Sequence, residues 1–317
     1  VHRSNEKASK ARRLGRSTDA RKARTVRSLR RERSNMRPRS IGKVLIGIVL
    51  AAVAIVGIGR VRLDRRTRNR IETLLSSVET RTEDARLTPD FESVPAPVRR
   101  YFATALEDGR SPVRSVRLEQ RGEFRLGGRS GSWKPMRATQ HYTVEPPGFI
   151  WDATIEISPF LPTRVIDAYE FGRGSLRATV LSVLPVANAD PSPELNEGEL
   201  LRYLAEAVWF PTALSPDAGV EWEAIDDRSA RATIEDRGTT ASLVFHFGDD
   251  DLVERVHAPD RYRQESGTTA PWTGYFDRYE WIDGVQIPMS AAVEWNLPDG
   301  DLPYWRARIT TIEHRRR

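Results

Sequence analysis

Residues 113–126 read VRSVRLEQRGEFRL, and from Val113 onward the apolar positions recur every second residue. Val116 and Leu118, then Phe124 and Leu126, alternate with charged neighbours, which is the period of a half-buried β-strand. The stretches GFIWDATIEI (148–157) and TRVIDAYEF (163–171) continue the pattern, separated by SPFLP. Further runs follow near Val220, Arg231, Ala241, Leu252, Tyr275, Val285 and Trp305. Turn signals lie between them, at Asp226-Asp227, Asp236 to Gly238, Gly248 to Asp251, Asp283-Gly284 and Pro298 to Asp301. Asp283-Gly284, set between YEWI and VQIP, is the pattern of a type I′ hairpin. GGRSGSW (127–133) lacks the lysine and helix start of a phosphate loop and reads as a hairpin turn. Connections this short pair strands antiparallel. About ten to twelve strands exceed a flat open sheet, so the spacing predicts a mainly β (α+β) fold, a curved antiparallel sheet or half-barrel.

One segment breaks the pattern. ELLRYLAEAVWFPTAL (199–214) places Leu200, Leu204 and Val208 on one helical face, widened by Leu201 and Ala207. Asn196 and Glu199 have capping-box spacing, and Pro211 stops the helix. Glu199, Arg202, Glu206 and Trp209 form a second stripe. It reads either as two ordinary helix ion pairs, Glu199 with Arg202 and Arg202 with Glu206, or as the wall of a cavity in the mouth of the sheet. In the second reading Arg202 holds a polar head group, while Trp151, Tyr203, Trp209 and Trp295 supply apolar wall. A third reading makes Glu199 and Glu206 a pair of catalytic carboxylates, joined by Asp152 or His246.

All 26 Phe, Tyr and Trp residues of the 317 follow residue 90, so the folded core belongs to 91–317. Upstream, VPAPVRRYFATALEDG (94–109) reads as a short helix with Val98, Phe102 and Leu106 on one face. Residues 1–35 carry a net charge of +10, and 61–317 sum to −8. The folded part is therefore acidic and has no electrostatic basis for binding nucleic acid. The absence of cysteine excludes disulfides and thiolate chemistry. The five histidines lie at no metal-binding spacing, and no cofactor motif is present. Acidic turns at Asp249, Asp251, Asp299 and Asp301 are the remaining places for a hard cation.

From Val44 to Gly59 runs VLIGIVLAAVAIVGIG. Counted from Ile41 it would span about 28 Å as a helix, enough to cross a bilayer. The expected organisation is a basic tail (1–40), a transmembrane helix (41–59), a juxtamembrane helix or stalk (60–90) and a β-rich domain (91–317). Met36, five residues before Ile41, is a natural start, which leaves residues 1–35 as an untranslated or dispensable stretch. The flanking charges do not fix the orientation, and an extracytoplasmic domain is the expectation.

VPAPVRRYF, WDATIEI, ELLRYLAEAVWFPTAL, DRYR and LPDGDLPYWRARIT occur in one order over about 94–314. Together they resemble an uncharacterised family of prokaryotic proteins, well represented in haloarchaea and often carrying an N-terminal membrane helix. The resemblance implies no catalytic residue. In architecture, a curved sheet with a helix in its mouth is similar to the periplasmic lipoprotein-carrier fold, whose members hold acyl chains in the concavity. The expectation is a membrane-anchored protein that binds a lipid-like molecule. A hydrolase using Glu199 and Glu206 and an interaction module of the cell envelope are the alternatives.

Overall fold

The computed structural model describes residues 38–79, 91, 93–109, 111–158 and 161–316, excluding the side chains of 38–46 and 79. Residues 1–37 of the expected tail and 80–90 of the expected stalk lie outside these. Two compact units divide the chain, Val1–Ile55 and Val56–Arg317.

Helix α1 runs without a break over Pro38–Glu79. The expected membrane segment, 41–59, falls within it but partly outside the described side chains. Among the described residues no helix is long and apolar enough to cross a membrane. The described side chains of α1 begin at Gly47 and run from apolar residues into Arg60, Arg62 and Asp64. Ile48, Val49, Leu50, Val53 and Ile55 are nonetheless exposed, as are Ile58 and Val61 beyond them.

In the second unit, helix α2 (Ala96–Ala105) buries Val98, Tyr101 and Phe102. Thirteen strands follow in a single sheet: β1 (Val113–Arg125), β2 (Trp133–Thr143), β3 (Gly148–Glu156), β4 (Pro162–Glu170), β5 (Arg173–Val180), β6 (Leu184–Ala189), β7 (Val220–Asp226), β8 (Ser229–Asp236), β9 (Thr239–Phe247), β10 (Val253–Arg263), β11 (Thr268–Ile282), β12 (Val285–Leu297) and β13 (Gly300–Arg316). Their spatial order is β6-β5-β4-β3-β2-β1-β13-β12-β11-β10-β9-β8-β7. Two meanders, β1–β6 and β7–β13, thus meet where the first strand pairs with the last, Leu118 opposite Ile312. The expected Asp-Gly hairpin is present, with φ of 51° at Asp283 and 74° at Gly284. The left-handed conformation there is what glycine at the second position accommodates.

The one long crossover joins the two sheet edges, from β6 to β7, and contains helix α3 (Pro193–Glu206). The helix starts three residues before the expected cap. Ser192 is the N-cap and accepts from the Leu195 N–H at 3.2 Å. Asn196 does not cap; its Oδ1 accepts from the Gly174 N–H at 2.8 Å and ties the helix to β5. Pro193 at the first turn decides this, because its missing N–H and fixed φ suit a helix start. Two 3-10 turns, Ala207–Trp209 and Pro211–Leu214, finish the segment. Helix α3 touches β3, β4 and β5 from one end of the sheet and β9 and β10 from the other. The sheet is therefore open at its edges yet curled around the helix.

On the opposite, convex face the 56–79 part of α1 lies across β3–β5. Leu74 packs with Ile150, Ile166 and Ala168. Arg70 Nε donates to Glu170 at 2.9 Å, and Arg164 pairs with Asp64.

Candidate functional site

Strand register sorts the concave face into rows, because residues directly opposite on neighbouring strands share a face. The row under α3 is Leu118, Gln140, Trp151, Asp167 and Leu176. The next is Ile309, Gln120, Ala138, Ala153, Val165 and Ala178. A third runs Phe276, Ala291, Ala307, Gly122, Met136 and Ile155. The first row is made of large residues and carries the polar groups of Gln140 and Asp167, whereas the second and third are mainly apolar and include Ala138, Ala153, Ala178, Ala291, Ala307 and Gly122. Ala138, Val165, Ala178, Ala291, Ala307 and Ile309 each keep 6–9% of their surface, whereas Gln120 and Ala153 in the second row are buried. Under the helix, Tyr142, Phe149, Leu200 and Leu204 keep none.

The polar row and α3 form a buried charged cluster. Arg202 Nη1 donates to Asp167 Oδ2 at 2.6 Å, and its Nε donates to Glu206 Oε1 at 2.9 Å. The guanidinium also lies over the rings of Phe149 at 4.8 Å and Trp151 at 5.0 Å, a cation–π arrangement. Glu206 Oε2 accepts from Gln140 at 2.8 Å and from the Tyr142 hydroxyl at 2.9 Å. Burial acts to lower the Arg202 pKa, but Glu206, Asp167 and Glu199 around it raise it above the ordinary value. Asp167 is raised, by burial first, with Arg202 opposing. Glu199 is pushed up to about 8, by burial and then by Asp167. Its Oε2, like Asp167 Oδ1, is buried with no hydrogen-bond partner. Of the two ion pairs read from the helix, only Arg202–Glu206 forms; Asp167 takes the place of Glu199 as the second carboxylate.

Aromatic groups stand on the other side of the small rows. Trp272 and Trp295 are directly opposite on β11 and β12. Trp272 Nε1 donates to the Tyr304 hydroxyl at 2.9 Å, and Tyr304 stacks on Trp295 at 6.1 Å between centroids. Arg261 lies 4.7 Å over Trp272, and its Nη2 donates to the Gly198 carbonyl of α3 at 3.2 Å.

The structure thus brings Glu199, Arg202, Glu206 and Trp151 together, with Trp295 on the facing wall. Tyr203 and Trp209 belong to the packed interior. The Tyr203 hydroxyl donates to the Thr143 carbonyl at 3.1 Å, and Trp209 Nε1 donates to the Pro288 carbonyl at 3.0 Å. Trp209 leaves the stripe because α3 gives way to a 3-10 turn at Ala207, which rotates later side chains out of helical register. Asp152 is on the convex face, bound to Arg164 at 2.6 Å, and His246 lines a different groove. Both oxygens of Glu206 are engaged, so Glu199 and Glu206 do not stand as a pair of free carboxylates. The acidic turns meet arginine: Asp299 binds Arg129 at 2.9 Å, Asp251 binds Arg100 at 2.8 Å, and Asp249 binds Arg228. Sequence reasoning missed Asp167, Gln140 and Arg261. The signal for Asp167 was present, since a charged residue at an inward position of VIDAY has to be met by a buried cation.

The profile of a family of unknown function, DUF6920, matches residues 92–314. No curated protein matches the chain. Among solved structures it is similar to a DUF1329 family protein from Desulfovibrio piger, at 11% identity over 69% of this chain and 90% of that one, with a TM-score of 0.39. It is also similar to a LolA superfamily protein from Nitrosomonas europaea, at 13% identity over 69% and 92%, TM-score 0.37. A third is the Mycobacterium tuberculosis lipoprotein LppX, at 14% identity over 68% and 92%, TM-score 0.22.

Proposed function

The chain belongs to the DUF6920 family of unknown function, and from its own geometry we propose that the sheet domain binds an amphiphilic, lipid-like molecule in its concavity. The observation that carries this reading is the pair of small apolar rows, from Ile309 to Ala178 and from Phe276 to Ile155, left beside α3 rather than beneath it. Apolar surface removed from water by a bound chain contributes roughly 25 cal/mol per Å². The Trp272–Trp295–Tyr304 wall supplies more of it, and the Glu199–Asp167–Arg202–Arg261 cluster receives the polar end. Enclosure by rings and an apolar floor with few polar groups is the usual form of a small-molecule site.

Phenylalanine at Ala138 and Ala307 tests it. With an apolar fluorescent probe, such as an anthroyloxy fatty acid, the double variant A138F/A307F should fold and lose about tenfold in affinity. That loss corresponds to about 1.4 kcal/mol. A wild-type domain that binds no such probe would sink the proposal. So would a variant destabilised by the roughly 1–3 kcal/mol of an overpacked core, because the rows would then already be filled.

The same reading anchors the chain in a membrane through residues 41–59, with the sheet domain outside the cytoplasm. The exposed apolar side chains from Ile48 to Ile55 support the anchor. Protease accessibility of the sheet domain in intact spheroplasts tests the orientation; a protected domain reverses it.

A further inference from the structure

We propose that the convex face carries a phosphate-binding site formed by Arg60, Arg121 and Arg137, with Arg308 at its margin. The site lies on the face opposite the concavity and does not depend on what the concavity holds.

The first observation is register. Arg308, Arg121 and Arg137 stand directly opposite one another on β13, β1 and β2. Across β3 and β4 the same row continues through Thr154 to Arg164. Like charges directly opposite in a sheet destabilise it, and opposite charges stabilise it. Elsewhere on this sheet cross-strand arginines meet acids: Arg306 Nε donates to Glu123 at 2.9 Å, and Arg231 to Glu223 at 3.0 Å. The acids nearest Arg121 along its own strand are committed elsewhere, Glu119 to Arg117 at 2.5 Å and Glu123 to Arg306. Among the described residues no carboxylate lies at ion-pair distance from Arg60, Arg121 or Arg308. Arg137 has only Glu156, at 3.4 Å, and both are exposed.

The second observation is a groove of about 590 Å³ at this row. Val56, Arg60 and Asp64, at four-residue spacing on α1, form one side. Arg121, Arg137, Thr139, Thr154 and Thr310 line the sheet side, together with the carboxylates of Glu119 and Asp152, which are paired with Arg117 and Arg164. Arg164 is already bound by Asp64 and by Asp152 at 2.6 and 2.8 Å. It therefore fixes α1 over the groove and leaves Arg60 and Arg121 without a carboxylate partner among the described residues. Guanidinium groups recognise phosphate oxygens through paired, charge-assisted N–H donors, and threonine hydroxyls add donors at the floor. The domain is acidic, with a net charge of −8 over residues 61–317, so positive potential at this row comes from its own arginines. A compact anion fits that distribution, and a polyanion extending over the whole surface does not. The ligand chemistry is a phosphate ester, whether the head group of a lipid or a free phosphate.

Calorimetric titration of the full chain in an uncharged maltoside detergent tests this. The probes are dihexanoyl phosphatidic acid, dihexanoyl phosphatidylcholine, inorganic phosphate and sulfate, at matched ionic strength. Phosphatidic acid should bind, and R121Q/R137Q should weaken it at least tenfold while leaving phosphatidylcholine unaffected and the melting temperature unchanged or higher. Arg231→Gln, far along the sheet, should change nothing. Phosphatidic acid binding more tightly than inorganic phosphate assigns the site to a lipid head group; equal affinity assigns it to a free phosphate ester. The proposal is overturned if neither binds, if sulfate binds as well as both, or if R121Q/R137Q binds like the wild type.

Discussion

On the concave face Arg202 is enclosed by Asp167, Glu206, Phe149 and Trp151, whereas on the convex face Arg121 and Arg308 stand side by side with no carboxylate at ion-pair distance among the described residues. The residue type is the same, and the covering differs. Helix α3 excludes water from the inner arginine, so its charge must be met within the protein. The outer arginines are solvated, and water and salt screen a mismatch that would be costly inside. Position on one face or the other thus decides whether an arginine's charge is met within the protein or by solvent.

Removing the inner tie is the harshest way to break this contrast. Arg202→Met keeps much of the stem but leaves Asp167 and Glu206 buried without their cation. Breaking a buried pair by deleting one partner costs about 3–5 kcal/mol. Urea denaturation should show a loss of that size. A loss below about 1 kcal/mol would mean that solvent reaches the cluster, and the two faces would then be alike.

Glu199→Gln is next in size and acts through pH. In the folded chain Glu199 holds its proton up to about 8, against an ordinary value of 4.5. Between those values the native state binds a proton that the unfolded chain has released, so stability falls as pH rises through the window and levels off above it. Glutamine cannot titrate. The variant should therefore match the wild type near pH 4.5 and exceed it at pH 8, on the order of 2–4 kcal/mol at about 1.4 kcal/mol per pH unit. Melting curves over pH 4.5–8.5 read this directly, and parallel wild-type and variant profiles would show that Glu199 is ionised in the fold.

How much of this contrast the sequence carried differs between elements. Strands β7–β13 were legible because each alternates apolar and polar residues and ends in a turn signal such as Asp283-Gly284. Helix α3 was legible in its body but not at its start, because Asn196 offered the spacing of a cap while Ser192-Pro193 offered the chemistry. The inner cluster was half legible. Arg202 and Glu206 are i, i+4 neighbours, whereas Asp167 and Arg261 reach them from β4 and β10 through pairings that no local pattern encodes. The arginine row was not legible at all. Arg308, Arg121 and Arg137 are far apart along the chain and meet only through the register of β13, β1 and β2.

A milder perturbation addresses the convex face and its helix. A Cβ added at Gly59 would come within 2.6 Å of Val183 Cγ2 and 3.0 Å of the Ser182 carbonyl oxygen, so α1 rests on the β5–β6 turn through that glycine. Gly59→Leu should lift this part of α1 and cost about 1–2 kcal/mol, in the range of overpacking. Hydrogen exchange should rise in residues 56–64 while α3 stays protected. Unchanged exchange in 56–64 would show that the helix is held by Arg164–Asp64, Arg70–Glu170 and Leu74 without the Gly59 contact.

The smallest expected effect has the opposite sign and bears most directly on the comparison. Arg121→Glu places an acid between Arg308 and Arg137, converting two like-charge neighbours into two opposite-charge ones. Exposed pairs contribute about 0.2–1 kcal/mol each, so the variant should be slightly more stable than the wild type in low salt. The gain should shrink as salt rises, because these charges are solvated. A protein that becomes more stable when a residue is replaced holds that residue against its own stability. On the concave face no substitution of Arg202 should behave this way. If Arg121→Glu instead destabilises the chain at low salt, the row is internally satisfied, and the outer arginines are structural ties like the inner one.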